Sequence, residues 1–172
     1  MIVACVGRRD LRPWEQSYLE SYGSWLAEEG HGMTSGNAPG ADQAFHLGFC
    51  MIDIHCENSE LYLPWPSFEE RKLLPGQKCW LAAQATDRHR EIARAAHPVF
   101  DSMKPAVQNL MVRNAMIVMR FDRPVDQVTA FPNSDKRGWG GTGHAIRVAG
   151  MVGVPVFLLH QQRWWDPSEG TN

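Results

Sequence analysis

Met33-Thr34-Ser35-Gly36-Asn37-Ala38-Pro39-Gly40-Ala41-Asp42 decides how this chain is read. Its first residues are the end of a short strand, its centre is rich in glycine, and Ala41 to Met51 carries Ala44, Phe45, Leu47 and Gly48 at helical spacing. Strand, glycine turn and helix in that order form half of a βαβ unit. Glycine tolerates positive φ and lets backbone approach a ligand closely. Amides exposed just before a helix N-terminus form a cradle for an anion. A second segment of the same kind, Gly138-Trp139-Gly140-Gly141-Thr142-Gly143-His144, follows the strand-like Val128 to Phe131 and opens a helix over Thr142 to Met151. Two such segments in one chain point to a nucleotide or nucleotide-sugar site.

The rest of the sequence extends this pattern. Ile2 to Val6 is an apolar run closed by Gly7, which suits a strand buried on both faces of a parallel sheet. Gly7-Arg8-Arg9-Asp10 then falls at its carboxyl end. Between Pro13 and Glu29 the residues Trp14, Tyr18, Leu19, Tyr22, Trp25 and Leu26 recur every three or four positions, as an amphipathic helix requires. Pro13 sits in its first turn and Gly30 at its stop. Glu60 to Pro64 reads as a third strand, and Trp65 to Gln84 as a loop or lid with short helical pieces. Helices are expected over Thr86 to Ala96 and Lys104 to Asn114, a buried strand over Ala115 to Met119, and a closing strand over Val154 to Leu159. The alternation predicts an α/β fold: a Rossmann-like, three-layer, doubly wound and mainly parallel sheet. Residues 1–160 form one domain in this reading, and 161–172 a tail carrying the Trp164-Trp165 pair.

Composition excludes several classes. The chain has 172 residues, 44% hydrophobic and 21% charged, with a formal net charge of −2. A domain of this size buries roughly 70% of the surface of its extended chain and needs no staple. The near-neutral charge supplies no field for a polyanion. No apolar run reaches the length of a membrane span, and no basic leader precedes the first strand, so a cytoplasmic protein is expected. Cys5, Cys50, Cys56 and Cys79 show no CxxC spacing and are read as reduced thiols. Cys50, His55 and Cys56 lack a second ligand pair, so neither metal nor cofactor is expected.

In such folds ligands bind at the carboxyl ends of the strands. The candidate ligand contacts there are Gly7, Arg8, Arg9, Ser35, Gly36, Asn37, Gly40, Asp42, Arg113, Gly140, Gly141, Thr142 and Gly143. Arginine offers phosphate a bidentate fork that lysine lacks. Ser35 is equally a helix cap, and Asp42 suits a helix dipole, a ribose hydroxyl or the glycine loop itself. Trp65 and Trp139 are candidates to stack a base. No catalytic residue is assigned; Asp42 and His144 are the candidates, with Glu69 and Glu70 as further carboxylates.

These motifs resemble the SLOG superfamily, the Rossmann-like group that includes DNA-processing protein A and the LONELY GUY phosphoribohydrolases. The resemblance rests on the Gly7-Arg8-Arg9 turn, on Ser35 to Asp42 as a counterpart of an SGGARGAD-like segment, on Gly140-Gly141-Thr142-Gly143, and on Arg113-Asn114. It covers most of the chain and implies a short, free-standing member of the kind found in bacterial and phage genomes. It also implies a homodimer or higher homo-oligomer formed through helices beside the site, here those around 104–114 and 142–151. The phosphoribohydrolase motif is similar to PGGxGTxxE, and the position of its glutamate is Arg147 here. A cation cannot serve as that carboxylate does. The leading expectation is therefore binding of a nucleoside phosphate, nucleotide sugar or ADP-ribose-like ligand, for sensing or sequestration. N-glycosidic hydrolysis of nucleoside monophosphates and single-stranded DNA binding are the alternatives.

Overall fold

The computed structural model describes residues 1–70, 73–133 and 139–171. Seven strands form one sheet in the order β4-β3-β2-β1-β5-β6-β7. They are β1 (Ile2–Gly7), β2 (Gly32–Ser35), β3 (Ser59–Leu63), β4 (Lys78–Leu81), β5 (Gln127–Phe131), β6 (Val156–Leu158) and β7 (Arg163–Trp164). All neighbours pair parallel except β6 and β7. The helices are α1 (Pro13–Glu28), α2 (Ala41–Ile52), α3 (Asp87–Ala95), α4 (Pro105–Met119) and α5 (Gly140–Met151). The fold is thus α/β, with a mainly parallel sheet flanked by helices, consistent with a Rossmann-like doubly wound architecture. No helix among the described residues is long and apolar enough to cross a membrane.

The period of two along β1 assigns the layers. Val3 and Cys5 join Leu19 and Leu26 of α1 and Phe45 and Phe49 of α2 in one core. Ala4 and Val6 point the other way, into a larger core built with α3, α4 and α5. Each large aliphatic side chain so buried contributes about 1.5–3 kcal/mol relative to leaving it exposed. Strand order reverses between β1 and β5, where Gly7 lies opposite Phe131. That switch point opens the crevice in which doubly wound folds place ligands.

Two elements differ from the sequence reading. Ala115 to Met119 is not a strand; it is the last turn and more of α4, which runs unbroken from Pro105. Every residue from Met111 to Met119 is buried, and a wholly buried apolar run carries no periodicity to separate helix from strand. Within the supposed lid, Lys78–Leu81 pairs with β3 as an edge strand. After β6, Trp165 is buried although Trp164 and Asp166 beside it are exposed; its backbone N–H donates to Val156, and its indole N–H donates to the Gly170 carbonyl.

The cysteine reading also needs correction. Cys50 and Cys56 form a disulfide, with Cα atoms 5.4 Å apart, while Cys5 and Cys79 are free. The turn after α2 brings the pair together, a closure that a spacing of six residues does not reveal.

Candidate functional site

A cavity of about 290 Å³ lies over the switch point, lined by the end of β1, the loops after β2 and β5, α4 and the start of α5. Of the residues singled out from sequence, Gly7, Arg8, Arg9, Asp42, Arg113, Trp139, Gly140, Gly141 and Thr142 meet there. Leu110, Met111 and Ala145 give the wall an apolar part, as ligand pockets commonly have.

The α5 terminus is one side of the site. Trp139, at the N-cap, takes a left-handed conformation with φ 51°, and Gly140 follows at φ 57°. These two residues aim the first turn of α5 at the cavity. The amides that open a helix have no partner within it, and the helix dipole adds positive potential at that end. Asn114 fixes the terminus from α4 by donating its side-chain N–H to the Gly141 carbonyl over 3.0 Å. Gly138 lies outside the described residues.

Arginines line the same cavity. Arg113 comes from the buried part of α4 and ion-pairs with Asp42, Nη1 to Oδ2 at 3.4 Å, while its guanidinium lies over the Phe68 ring. Arg8 pairs with the buried Glu15 of α1 and lies over Phe131. The Nε of Arg8 and the Nε of Arg113 are both buried without a hydrogen-bond partner. An unmet buried donor costs about 1–3 kcal/mol, and both side chains line the cavity. Arg9 is exposed at the rim.

Electrostatics follow from the partners. Burial pushes the Asp42 carboxyl up, and Arg113 together with the N–H groups of Gly7, Ala38 and Gly36 opposes that shift. Burial likewise pushes the Arg113 guanidinium down, and Asp42 opposes it. Burial works to raise the Glu15 carboxyl, but the Arg12 amide and the Arg8 guanidinium outweigh it and hold it below the usual range.

The first glycine loop plays a different part from the second. Asp42 Oδ1 accepts from the Gly7 N–H at 3.1 Å and Oδ2 from the Ala38 N–H at 3.4 Å. The loop therefore closes on a carboxylate of its own helix. Gly36 leaves room for Arg113, because a Cβ there would collide with Nη1. Gly40, at φ 91°, is the N-cap of α2, and a Cβ on it would strike the carbonyls of Arg8 and Arg9. Ser35 is buried and donates to the Cys5 carbonyl at 2.7 Å. Asn37 is buried with φ 53° and donates to the Glu69 carbonyl. None of Ser35, Gly36, Asn37, Gly40 and Gly143 lines the cavity.

Other candidates lie elsewhere. His144 is fully buried, with Nε2 2.9 Å from the Ala93 carbonyl. Burial, reinforced by Arg147 and opposed by Ala93, pushes it down to about 4, so it is neutral at pH 7. Arg147 donates to the Ala96 carbonyl at 2.8 Å and to Thr171 at 2.7 Å. Trp65 stacks edge-on against Phe68, and neither it nor Glu69 nor Glu70 lines the cavity. Sequence reasoning passed over Glu15, whose role as the anchor of Arg8 is a contact between β1 and α1 without a local signature. Asn114, adjacent to Arg113 in α4, also lines the cavity.

Compared with models of protein families, with curated proteins and with solved structures, the chain matches none.

Proposed function

We propose that the protein binds a nucleotide or nucleotide-derived ligand, a nucleoside phosphate, nucleotide sugar or ADP-ribose-like molecule, with phosphate at the start of α5. The observation that carries this reading is the meeting of an open helix terminus with three arginines, Arg8, Arg9 and Arg113, around one cavity. Charge-assisted bonds from guanidinium groups to phosphate oxygens are the strong kind. Trp139 stands at the helix start where a base or sugar would lie beside the phosphate. The cavity sits near the lower end of the usual range for small-molecule sites, roughly 300–1,000 Å³. A cavity of that size suits one phosphate-bearing unit better than a run of nucleotides. The resemblance to SLOG proteins, which rests on the same segments, agrees with this reading. Of the two carboxylates lining the cavity, Asp42 is committed to Arg113 and to backbone amides, and Asp10 is exposed at the rim. With Arg147 at the position of the phosphoribohydrolase glutamate, sensing or sequestration is favoured over turnover.

Native mass spectrometry of the purified protein, with mass analysis of any small molecule released on denaturation, tests the proposal first. Titration calorimetry with nucleoside mono- and diphosphates, a nucleotide sugar and ADP-ribose follows. Saturable binding that weakens at least ten-fold in Arg9→Ala, a rim change with little cost to the fold, is expected. No saturable binding by any of these ligands overturns it.

A further inference from the structure

A second cluster of chemically capable side chains lies at the far end of α2, away from the cavity. His46 and Cys50 are one helical turn apart and share a face. Beyond Ile52 the chain reverses through Asp53, whose carbonyl accepts from the Cys56 N–H at 2.7 Å. Cys56, held at φ 49°, returns its sulfur to Cys50. The imidazole Nε2 of His46 is 3.3 Å from Cys50 Sγ, and the donor atoms of His46, Cys50 and Cys56 all lie within 4.8 Å of one another. All three residues are buried.

A fourth donor faces the same point. Gln77 Oε1 lies 2.8 Å from His46 Nε2, and the Gln77 amide is oriented by donating to the Ser59 carbonyl at 3.1 Å. Ser59 Oγ is 3.4 Å from the same Nε2. A tetrahedral zinc site with bonds of roughly 2.0–2.3 Å keeps neighbouring donors roughly 3.5 Å apart. The His46–Cys50 separation already meets that spacing. A disulfide sulfur is a weak acceptor with no need of an imidazole beside it, whereas two thiolates, one imidazole and one amide oxygen are a donor set for a borderline divalent cation.

We infer that Cys50, Cys56 and His46, with Gln77 Oε1 in the fourth position, form a zinc site when the Cys50–Cys56 disulfide is reduced. The balance is simple. A dithiol reductant gives two electrons to the disulfide and becomes a disulfide itself, leaving Cys50 and Cys56 as thiols. Zinc uptake then displaces the two thiol protons to solvent. The proton of His46 that now faces Gln77 moves to the other ring nitrogen, so that Nε2 and Oε1 both present lone pairs to the metal. Disulfide and zinc are alternative states of the same two sulfurs, and both tie α2 to the strand that follows. The histidine that completes the set is His46, on the helix, and not the exposed His55 beside Cys56.

The test uses the full chain, reduced with a phosphine and offered zinc, then cobalt. One zinc per chain by elemental analysis is expected, with the charge-transfer and visible bands of tetrahedral thiolate-bound cobalt. Affinity should fall at least ten-fold in His46→Gln and in Cys50→Ser. Reoxidation of the wild type by a disulfide reagent should release the zinc to a chromogenic chelator, also in a Cys5→Ala/Cys79→Ala background. That second readout decides the matter even where Cys50→Ser fails to fold. Absence of metal uptake by the reduced, folded wild type overturns the inference. So does uptake unchanged by His46→Gln, or zinc retained after reoxidation.

Discussion

Arg113 Nη1 lies 3.4 Å from Asp42 Oδ2, with each side chain only 5% exposed, and the pair joins α4 on one face of the sheet to α2 on the other. Removing one member of a buried ion pair costs about 3–5 kcal/mol, because the survivor keeps its charge without compensation. The two members are not equivalent here. Asp42 retains the Gly7, Ala38 and Gly36 N–H donors when Arg113 is gone, whereas Arg113 already has an unpartnered Nε. Asp42→Asn should therefore destabilise more than Arg113→Met, and urea unfolding of both variants and the double variant reads the difference. Equal losses would mean that the backbone donors contribute nothing to holding the carboxylate.

Gly36→Ala should act on binding through Arg113. Its new methyl would occupy the place of Nη1, pushing the guanidinium off Asp42 and out of register with the α5 terminus. We expect at least a ten-fold loss of affinity for any phosphate-bearing ligand that the wild type binds, measured by calorimetry. Gly40→Ala should instead be a stability variant. At φ 91° an L-residue is strained by about 1–3 kcal/mol, before its clash with the Arg8 and Arg9 carbonyls is added. A Gly36→Ala protein with undiminished affinity would remove Arg113 from the site.

How much of this was legible in the sequence depends on what each residue touches. The strand–glycine–helix units were readable because Gly40 and Gly140 serve local backbone demands, and local demands leave local patterns. The helix over Pro105–Met119 was split in the reading because burial on all sides erased its period. Glu15 and Asn114 act across elements, on Arg8 and on the Gly141 carbonyl, so no spacing announced them. Both glycine loops read as phosphate cradles, with the first loop itself among the three partners open to Asp42; Asp42, two residues past Gly40, accepts from that loop as an internal anion. His46 escaped notice for a related reason: its partner Cys56 lies beyond a helix end and a turn.

The last residues should prove part of the fold. Trp165 is buried in the core formed with α5, and a Cβ on Gly150 would stand only 3.1 Å from its ring. Trp165→Ala should cost about 3–5 kcal/mol, and a chain ending after Gln162 should lose at least as much, since β7 goes too. Thermal unfolding followed by circular dichroism measures both. A truncated chain with unchanged midpoint would make the residues after β6 dispensable.

His144 gives the protein a pH dependence with a definite sign. Its folded value is pushed down to about 4, chiefly by burial, from an ordinary value of 6.5. Above the ordinary value both folded and unfolded chains leave the ring neutral, and nothing is lost. As pH falls from 6.5 towards 4, the unfolded chain takes up the proton first and stability declines. The full shift corresponds to roughly 3 kcal/mol at one pKa unit per 1.36 kcal/mol, reached only near pH 4. His46, His89, His97 and His160 are shifted in the same direction, largely by burial, and add to the slope. His144→Gln keeps an N–H for the Ala93 carbonyl but cannot take the proton. Denaturant unfolding at pH 7 and pH 5 should show a smaller loss for this variant than for the wild type, whatever its stability at pH 7. Parallel losses in the two proteins would place the acid sensitivity on the other histidines and return His144 to a merely packed ring.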